Sequence, residues 1–499
     1  MKLTPLVHNR VSYLGVGIAV LAVMAIVFLG VINTLVGHGQ APYAGLIIFV
    51  VLPAVLLFGL LLIPLGMLLE RRRLRRGRAR SIPRFPVIDF NVPQERNTAA
   101  IFAVGSIVLL FSTIFGSYQA YEATESVAFC GATCHTPMQP EYVTFQHSPH
   151  ARVRCVDCHV GPGANWYVKS KLSGLHQVYA VTFDTFPRPI VGPIKSLRPA
   201  PETCEQCHWP QMFFGDQQRR ITHFLSDEQN TPWELRLLVK TGGLRPPAQK
   251  GTGIHWHMNI DNRVEYIAAD PQRQQIPWVR VTDRQSGRST EYTSSDPPPT
   301  REQIAAAEVR TMDCMDCHNR PTHIFGSPSN LLDQALHSGE IDPTLPFAKR
   351  TGVQLLTAQY GSVDEALSAI AKGVRDFYQQ NYPELATQRQ QEIAAAATAL
   401  QDLYRHNFFP AMKARWDAYP ENVGHKIFRG CFRCHDGQHR SADGTAITAS
   451  CTACHTITAQ GPPAALEFSR EPDGLQFRHP GDVGDAWQAM PCSDCHTGA

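Results

Sequence analysis

The sequence predicts a mostly α-helical membrane protein: three transmembrane helices, then a loop-rich, mainly helical domain with a small β insertion. Three observations predict it. Three long runs near the N-terminus carry no charged residue. All fourteen cysteines lie beyond those runs, in seven close pairs. Between the pairs, regular hydrophobic periodicity is confined to one helical and one β-like stretch.

The uncharged runs are Tyr13 to Val36, Ala44 to Leu69 and Thr98 to Tyr118. Each is long enough to cross a hydrocarbon layer of about 30 Å as a helix rising about 1.5 Å per residue. A buried core helix is the alternative, and three such runs close to one terminus argue against it. Pro53 and Pro64 are expected to kink the second helix. The first run is too long for the apolar core of a signal peptide, and no small-residue cleavage site follows it. It reads as an uncleaved anchor.

Basic residues set the orientation. The segment from Glu70 to Asn97 holds Arg71, Arg72, Arg73, Arg75, Arg76, Arg78, Arg80, Arg84 and Arg96 and is expected in the cytoplasm. The 37–43 connection has no Lys or Arg and is expected outside; the N-terminus, with Lys2 and Arg10, is expected inside. The third span then delivers everything after Tyr118 to the outer side. An arginine run also suits nucleic acid, but this one lies between two spans, and a net charge of +3 gives no general bias toward that partner.

Every cysteine pair is followed at once by histidine. Six motifs are regular: Cys155–Cys158–His159, Cys204–Cys207–His208, Cys314–Cys317–His318, Cys431–Cys434–His435, Cys451–Cys454–His455 and Cys492–Cys495–His496. With 21 histidines in 499 residues, chance supplies the next residue as His roughly 4% of the time, so seven in a row is on the order of 10⁻¹⁰. C-x-x-C-H is the attachment motif of c-type haem: two thiols become thioethers and the adjacent imidazole becomes an axial ligand. Structural zinc needs no histidine after each pair, and a disulfide framework does not explain the uniform spacing. The first motif, Cys130-Gly-Ala-Thr-Cys134-His135, is one residue longer. Haem is favoured there too; attachment through one thioether or a structural cysteine pair are the alternatives. The expectation is seven covalent haems c on the outer face of a bacterial inner membrane, a multi-pass anchor with its haem domain in the periplasm.

The expected division is 1–69 for two spans, 70–97 for the basic cytoplasmic loop and 98–120 for the third span. A three-motif unit follows at 121–215, a β-rich insertion at 216–310, a helical unit with one motif at 311–420 and a second three-motif unit at 421–499. The insertion rests on alternation around Arg263 to Ile267, Pro277 to Val281 and Ser289 to Thr293. Helices are expected at 364–378 and 385–407, broken at Tyr382-Pro383. The run Asp296-Pro-Pro-Pro299 reads as a linker.

Each haem iron has a second axial position, and twelve further histidines lie beyond the third span. The first-rank candidates are His150, His425 and His479, which precede a motif, and His323 and His439, which follow one. His257 joins them because Ile254-His255-Trp256-His257-Met258 alternates like a strand with both imidazoles on one face. Met138, three residues after His135, is a candidate for the first haem. His147, His223, His255 and His406 rank next. Two imidazoles per iron favour electron transfer over substrate binding, since no position stays open.

From Cys130 to His208 the chain resembles the NapC/NirT family of membrane-bound quinol dehydrogenases. The likeness is a hydrophobic span (Thr98 to Tyr118), a haem motif with a nearby methionine (Cys130 to Met138) and Cys155-Val-Asp-Cys-His-Val160. The layout of three spans and seven motifs is similar to the inner-membrane heptahaem quinol dehydrogenases of extracellular electron transfer, the ImcH type. The first motif and its methionine spacing are each one residue longer than the family pattern. The resemblance implies a quinol:cytochrome c oxidoreductase that oxidises menaquinol or ubiquinol from the membrane pool and passes electrons to periplasmic c-type cytochromes. Quinol gives up two protons as well as two electrons, and Glu141, Lys171 and Asp184 are the candidate polar side chains to take the protons. Two other readings are an electron relay docked to another quinone-reactive membrane subunit, and a terminal reductase of a small nitrogen or sulfur compound. The last needs an open or lysine-ligated iron, and no C-x-x-C-K motif occurs.

Overall fold

A computed structural model describes residues 9–36, 51–76, 89–133, 135–192, 194, 197–209, 215–245 and 248–499. The chain forms two units: Met1–Ser126 with His159–His176, and Val127–Cys158 with Gln177–Ala499.

In the first unit the uncharged runs lie on helices α1 (Arg10–Val36), α2 (Leu52–Arg75) and α3 (Pro93–Thr124). The 37–43 connection and the first residues of the second run, 44–50, lie outside the described residues, as do Lys2 and Arg78, Arg80 and Arg84 of the basic loop. Among the described residues, α2 is the helix both long and apolar enough to cross a membrane, with a mean hydropathy of 2.5. Pro53 sits in its first turn, where the missing N–H has no intrahelical role, and Pro64 lies inside it. Helices α1 and α2 cross on small residues. A Cβ on Gly15 would stand 2.6 Å from the Gly59 carbonyl oxygen, and one on Gly59 would stand 2.8 Å from the Ala19 nitrogen. Ser12 Oγ donates to the Ile63 carbonyl at 3.1 Å across the crossing. Close backbone approach with an interhelical hydrogen bond is how helices associate where water gives no hydrophobic drive. Helix α3 runs past Tyr118 to Thr124, with Glu125 as its C-cap.

Two further helices follow, α4 (His135–Gln146) and α5 (Ala164–Thr182). The sequence reading did not predict α5.

The second unit has a helical layer with its own apolar core: α6 (Pro328–Ser338), α7 (Ala348–Thr357), α8 (Val363–Asn381) and α9 (Gln390–Asn407). Helix α8 shows why. Ser362 accepts from the Glu365 N–H at the N-cap, Asp364 and Glu365 meet the helix dipole, and Ala366, Ile370, Val374 and Tyr378 are buried at four-residue spacing. The chain breaks at Tyr382-Pro383 as expected, and a short helix, Pro383–Gln388, precedes α9. Leu332, Leu345, Leu356 and Ile370 are fully buried in this cluster. Each such burial is worth about 1.5–3 kcal/mol, so this layer holds together through its own side chains.

The strands between 217 and 294 do not form a single sheet: Gly243–Arg245 and Ala248–Thr252 pair with each other, and the rest join two larger sheets. Strands β1 (Gln217–Phe224) and β2 (Pro232–Val239) pair antiparallel, and β2 then pairs with β6 (His455–Gly461) from the C-terminal region. Strands β3 (Asn262–Ile267), β4 (Trp278–Asp283) and β5 (Ser289–Ser294) form a second sheet, edged by Arg310–Thr311 on one side and His439–Arg440 on the other. Buried carboxylates are matched across these sheets: Glu234 meets Arg220 at 2.7 Å, and Glu265 meets Arg280 at 2.8 Å. The sheet strands therefore join directly to motif segments. Arg310–Thr311 leads into Cys314, His439–Arg440 follows His435, and β6 begins at His455 itself.

Candidate functional site

The regular motifs are built as single helical turns. The N–H of the motif histidine donates to the carbonyl of the first cysteine in the third, fourth, fifth and seventh, at 2.8, 2.8, 3.1 and 2.9 Å. One turn carries the cysteines at i and i+3 and the histidine at i+4 to one face. The second motif is the helix Cys155–His159, and the sixth is a 3₁₀ turn running into β6. In the first, Cys130 lies on the helix Val127–Ala132 and His135 opens α4; Cys134 and the side chain of His135 lie outside the described residues. None of the described cysteines is in a disulfide.

Five motif histidines each face a second imidazole. Ring centroids are 6.0 Å apart for His208 and His150, 6.5 Å for His318 and His255, and 5.8 Å for His435 and His257. They are 6.2 Å apart for His455 and His425 and 6.0 Å for His496 and His479. Two imidazoles on opposite sides of one metal, each with a metal–nitrogen bond of about 2 Å, place their centroids about 6 Å apart. The rings are too far apart to bond to each other and spaced for one iron between them. Backbone carbonyls take Nδ1 of His255 (Thr241, 2.9 Å), His257 (Ile254, 2.9 Å) and His479 (Gly481, 3.0 Å). Such bonds fix the tautomer that offers Nε2. Nδ1 of His425 and of His455 is buried without a hydrogen-bond partner among the described residues. Burial pushes His257, His318, His425, His455 and His496 below the ordinary imidazole value, which favours the neutral ring that ligates a metal. These residues fit haem c.

His255, ranked second from the sequence, thus stands opposite a motif histidine. The strand expected at Ile254–Met258 is instead a 3₁₀ helix. At three residues per turn, positions two apart diverge, so His255 and His257 face different motif histidines, His318 and His435, rather than sharing one face. His439 is a correction. It is 2% exposed and bonded at both nitrogens, Nδ1 to Asp436 at 2.9 Å and Nε2 to the Ile276 carbonyl at 2.6 Å. Burial alone would lower its pKa, but the Asp436 bond and the Ile276 carbonyl outweigh it and raise the value. His439 is a structural cation with no nitrogen for iron. His323 Nδ1 is 2.9 Å from the Glu141 carbonyl and 3.2 Å from its carboxylate. Met138 is half-buried on α4. His147 and His406 face each other at 4.1 Å, and His223 bonds Asp333 at 3.0 Å.

The attachment cysteines are neighbours in sequence order. Cys130 stands beside Cys155, and Cys204 beside Cys314. Cys158 lies close enough to Cys207 to feel its charge, as do Cys317 and Cys431, Cys454 and Cys431, and Cys492 and Cys451. Each motif thus adjoins the next, from the first to the seventh. Buried side chains brace the steps. Arg198 donates to the Glu202 carbonyl at 2.8 Å and to the Asp157 carbonyl at 3.4 Å, joining the second motif to the approach to the third. Arg433 donates to the Asp316 carbonyl at 2.8 Å, joining the fifth to the fourth. Asp316 itself is buried and accepts from Tyr266, Arg273 and Arg310. Lys240 donates to the Thr452 carbonyl at 2.6 Å in the sixth motif. Trp416 Nε1 donates to the Thr497 carbonyl at 3.0 Å and fastens the C-terminal turn to the helical core.

The three candidate proton acceptors are all ion-paired. Glu141 meets Arg320 at 3.0 Å, and Asp184, 68% exposed, meets Arg188 at 2.5 Å. Lys171 Nζ lies 3.0 Å from Oε1 of Glu125, which is only 3% exposed and caps α3. The sequence analysis did not single out Glu125, which lies seven residues beyond Tyr118, the end of the third uncharged run.

Two expected results follow from this geometry. Intact mass should exceed that of the polypeptide by seven haems; a gain of six would remove the Cys130 motif. Replacing His425 or His479 by alanine should leave one iron open on one side and give a high-spin signal by electron paramagnetic resonance. An unchanged spectrum in both variants would strike both residues from the ligand set.

The NapC/NirT cytochrome c family, N-terminal region, matches residues 92–189. The cytochrome c-type protein ImcH of Geobacter sulfurreducens is 42% identical over 494 residues, 98% of this chain and 95% of that protein. The cytochrome c-type protein NrfH of Wolinella succinogenes is 28% identical over 117 residues, 21% of this chain and 66% of its own length. No solved structure matches.

Proposed function

The chain belongs to the ImcH family of c-type cytochromes and carries the NapC/NirT N-terminal region, so it is a membrane-associated multihaem protein of electron transport, and on that footing we propose that it oxidises membrane quinol and conducts the electrons through seven haems to a periplasmic c-type cytochrome. The observation that carries the reading is the succession of attachment cysteines, each next to the one that follows in sequence. A branched or scattered arrangement would suit storage. A single file suits passage from one end to the other.

Haem c, once attached, supplies iron that exchanges electrons one at a time. The chain's own residues do the rest. The cysteine pairs fix seven groups in order. The imidazoles of His150, His255, His257, His425 and His479 would hold five of these groups together with the motif histidines, and Met138 and His323 are the candidates for the others. This favours conduction over terminal reduction. Cys130 follows the end of α3 by six residues, so the first site is tethered where a span leaves the bilayer. Glu125, held by Lys171, offers a carboxylate at the end of α3 to take a proton from quinol; Glu141 and Asp184 are the other candidate acceptors.

In this reading α1, α2 and α3 all cross the inner membrane, the arginine-rich 70–97 loop is cytoplasmic and the haem domain is periplasmic. Protease added to intact spheroplasts should leave that loop whole and cut it in inverted vesicles. Cleavage in spheroplasts would reverse the topology. The functional test is direct: a menaquinol analogue should reduce the purified full-length protein in detergent. Absence of reduction would turn the reading toward a relay docked on another quinone-reactive subunit.

A further inference from the structure

Helix α5 carries an apolar stripe that the fold leaves bare. Val168, Leu172 and Leu175 recur at helical spacing, and the line continues through Tyr179 and the next residue after the helix end, Phe183. At 3.6 residues per turn these five fall in one sector of about 80°. Leu172 is 62% exposed and Leu175 is 68% exposed, on a helix with no shortage of other positions for polar residues. Lys169 and Lys171 flank the stripe on opposite sides, and no Asp or Glu occurs from Ala164 to Thr182. The Lys169 ammonium stands 4.4 Å from the Trp166 ring, and that of Lys171 stands 4.9 Å from the Tyr167 ring. A narrow apolar stripe, basic flanks and interfacial aromatics make up a helix that lies in a membrane surface rather than across it.

The level of the helix agrees. Lys171 is ion-paired to Glu125 at 3.0 Å, and Glu125 caps α3 seven residues beyond Tyr118, the last residue of the uncharged run. Seven residues rise about 10 Å. A helix with its side chains has a radius of about 5–6 Å, so side chains projecting from α5 toward the bilayer come within about 5 Å of the hydrocarbon edge. That is inside the polar layer that thickens a bilayer from about 30 Å to about 40–45 Å. The geometry points to α5 lying along the outer surface of the membrane, with Val168, Leu172 and Leu175 turned to the boundary between head groups and acyl chains, Lys169 at lipid phosphates and Lys171 on Glu125. The occupant of the stripe is the lipid bilayer itself. The inference rests on the reading of α3 as a membrane span. Its consequence is positional: a surface helix fastened to Glu125 keeps the Glu125–Lys171 pair at the depth of a quinol head group.

The test uses full-length protein in nanodiscs of phosphatidylethanolamine and phosphatidylglycerol containing a lipid with a photoactivatable diazirine in its acyl chain. After illumination, mass spectrometry locates the adducts. Adducts on 168–183 at a yield within about threefold of those on α3, and at least about tenfold above those on the helical layer 328–407, support the inference. Leu172→Glu with Leu175→Glu, both exposed positions, should keep the wild-type haem content and lose the α5 adducts by about tenfold. Adducts on α3 without adducts on 168–183 overturn the inference and leave the span reading intact. Adducts on 168–183 without adducts on α3 support the surface helix and remove the span. Protection of 168–183 by a co-purifying subunit, seen as protein cross-links in place of lipid adducts, also overturns it.

Discussion

Oxidised protein mixed with a menaquinol analogue in a stopped-flow instrument should show rapid haem reduction in the wild type, slowed by at least about 10²-fold in Cys130→Ala with Cys134→Ala. The cause is access. A quinol tail of several hundred Å² drawn out of lipid exposes apolar surface at about 25 cal/mol per Å², a cost on the order of 10 kcal/mol. The head group therefore reacts at the membrane surface, and an acceptor site has to be brought there. Cys130 lies six residues beyond α3, whereas the next motif begins only at Cys155. Motifs two to seven are held by braces that do not involve Cys134, among them Arg198, Arg433, Lys240 and Trp416, so six haems should remain in the variant. Intact mass checks this before kinetics are read, and dithionite should reduce both proteins fully. A variant reduced by quinol as fast as wild type would place the quinol site elsewhere.

What the sequence disclosed and what it withheld divide along the range of the interactions. Haem attachment is local chemistry: two thiols and an imidazole on one turn must be spaced as C-x-x-C-H, so the motifs were legible before any fold was known. The second axial ligands come from far along the chain, and there the reading was partial. His150, His257, His425 and His479 stand opposite motif histidines. His255 was set lower, and Ile254-His-Trp-His-Met was read as a strand with both imidazoles on one face. Gly253, with a φ of 74°, turns the chain into a 3₁₀ helix instead, and the two imidazoles part. His439 has the spacing of a ligand, four residues after His435, but Asp436 captures it first. Sheet membership was likewise hidden. His455 to Gly461 is too short and too close to a motif to stand out as a strand, and it forms because β2 offers a free edge. The buried faces of α6 to α9 show that one layer has an ordinary apolar core. The Ser327 cap, Pro328 and the left-handed Gly339 that bound α6 follow ordinary helix rules.

Glu125→Gln should slow quinol oxidation by about 10²–10⁴-fold, the range general base catalysis covers, while leaving haem content and dithionite reduction unchanged. The amide keeps the shape and the bond to Lys171 Nζ, now 3.0 Å from Oε1, but gives up the carboxylate that takes the proton. The effect therefore separates from any loss of structure. Lys171→Arg preserves a cation that orients Glu125 and should retain most of the rate; Lys171→Met removes it and should fall between that variant and Glu125→Gln. Asp184→Asn should change little, because its carboxylate is exposed and held by Arg188. Glu141→Gln separates two routes. Its carboxylate is tied to Arg320 and His323, so proton removal there would disturb an ion-paired site that also holds a candidate iron ligand. The expected signature of that disturbance is a shifted haem spectrum with quinol oxidation preserved. If Glu125→Gln oxidises quinol at the wild-type rate and Glu141→Gln does not, the first proton goes to Glu141, and the buried pair at the end of α3 is a structural fastening for α5.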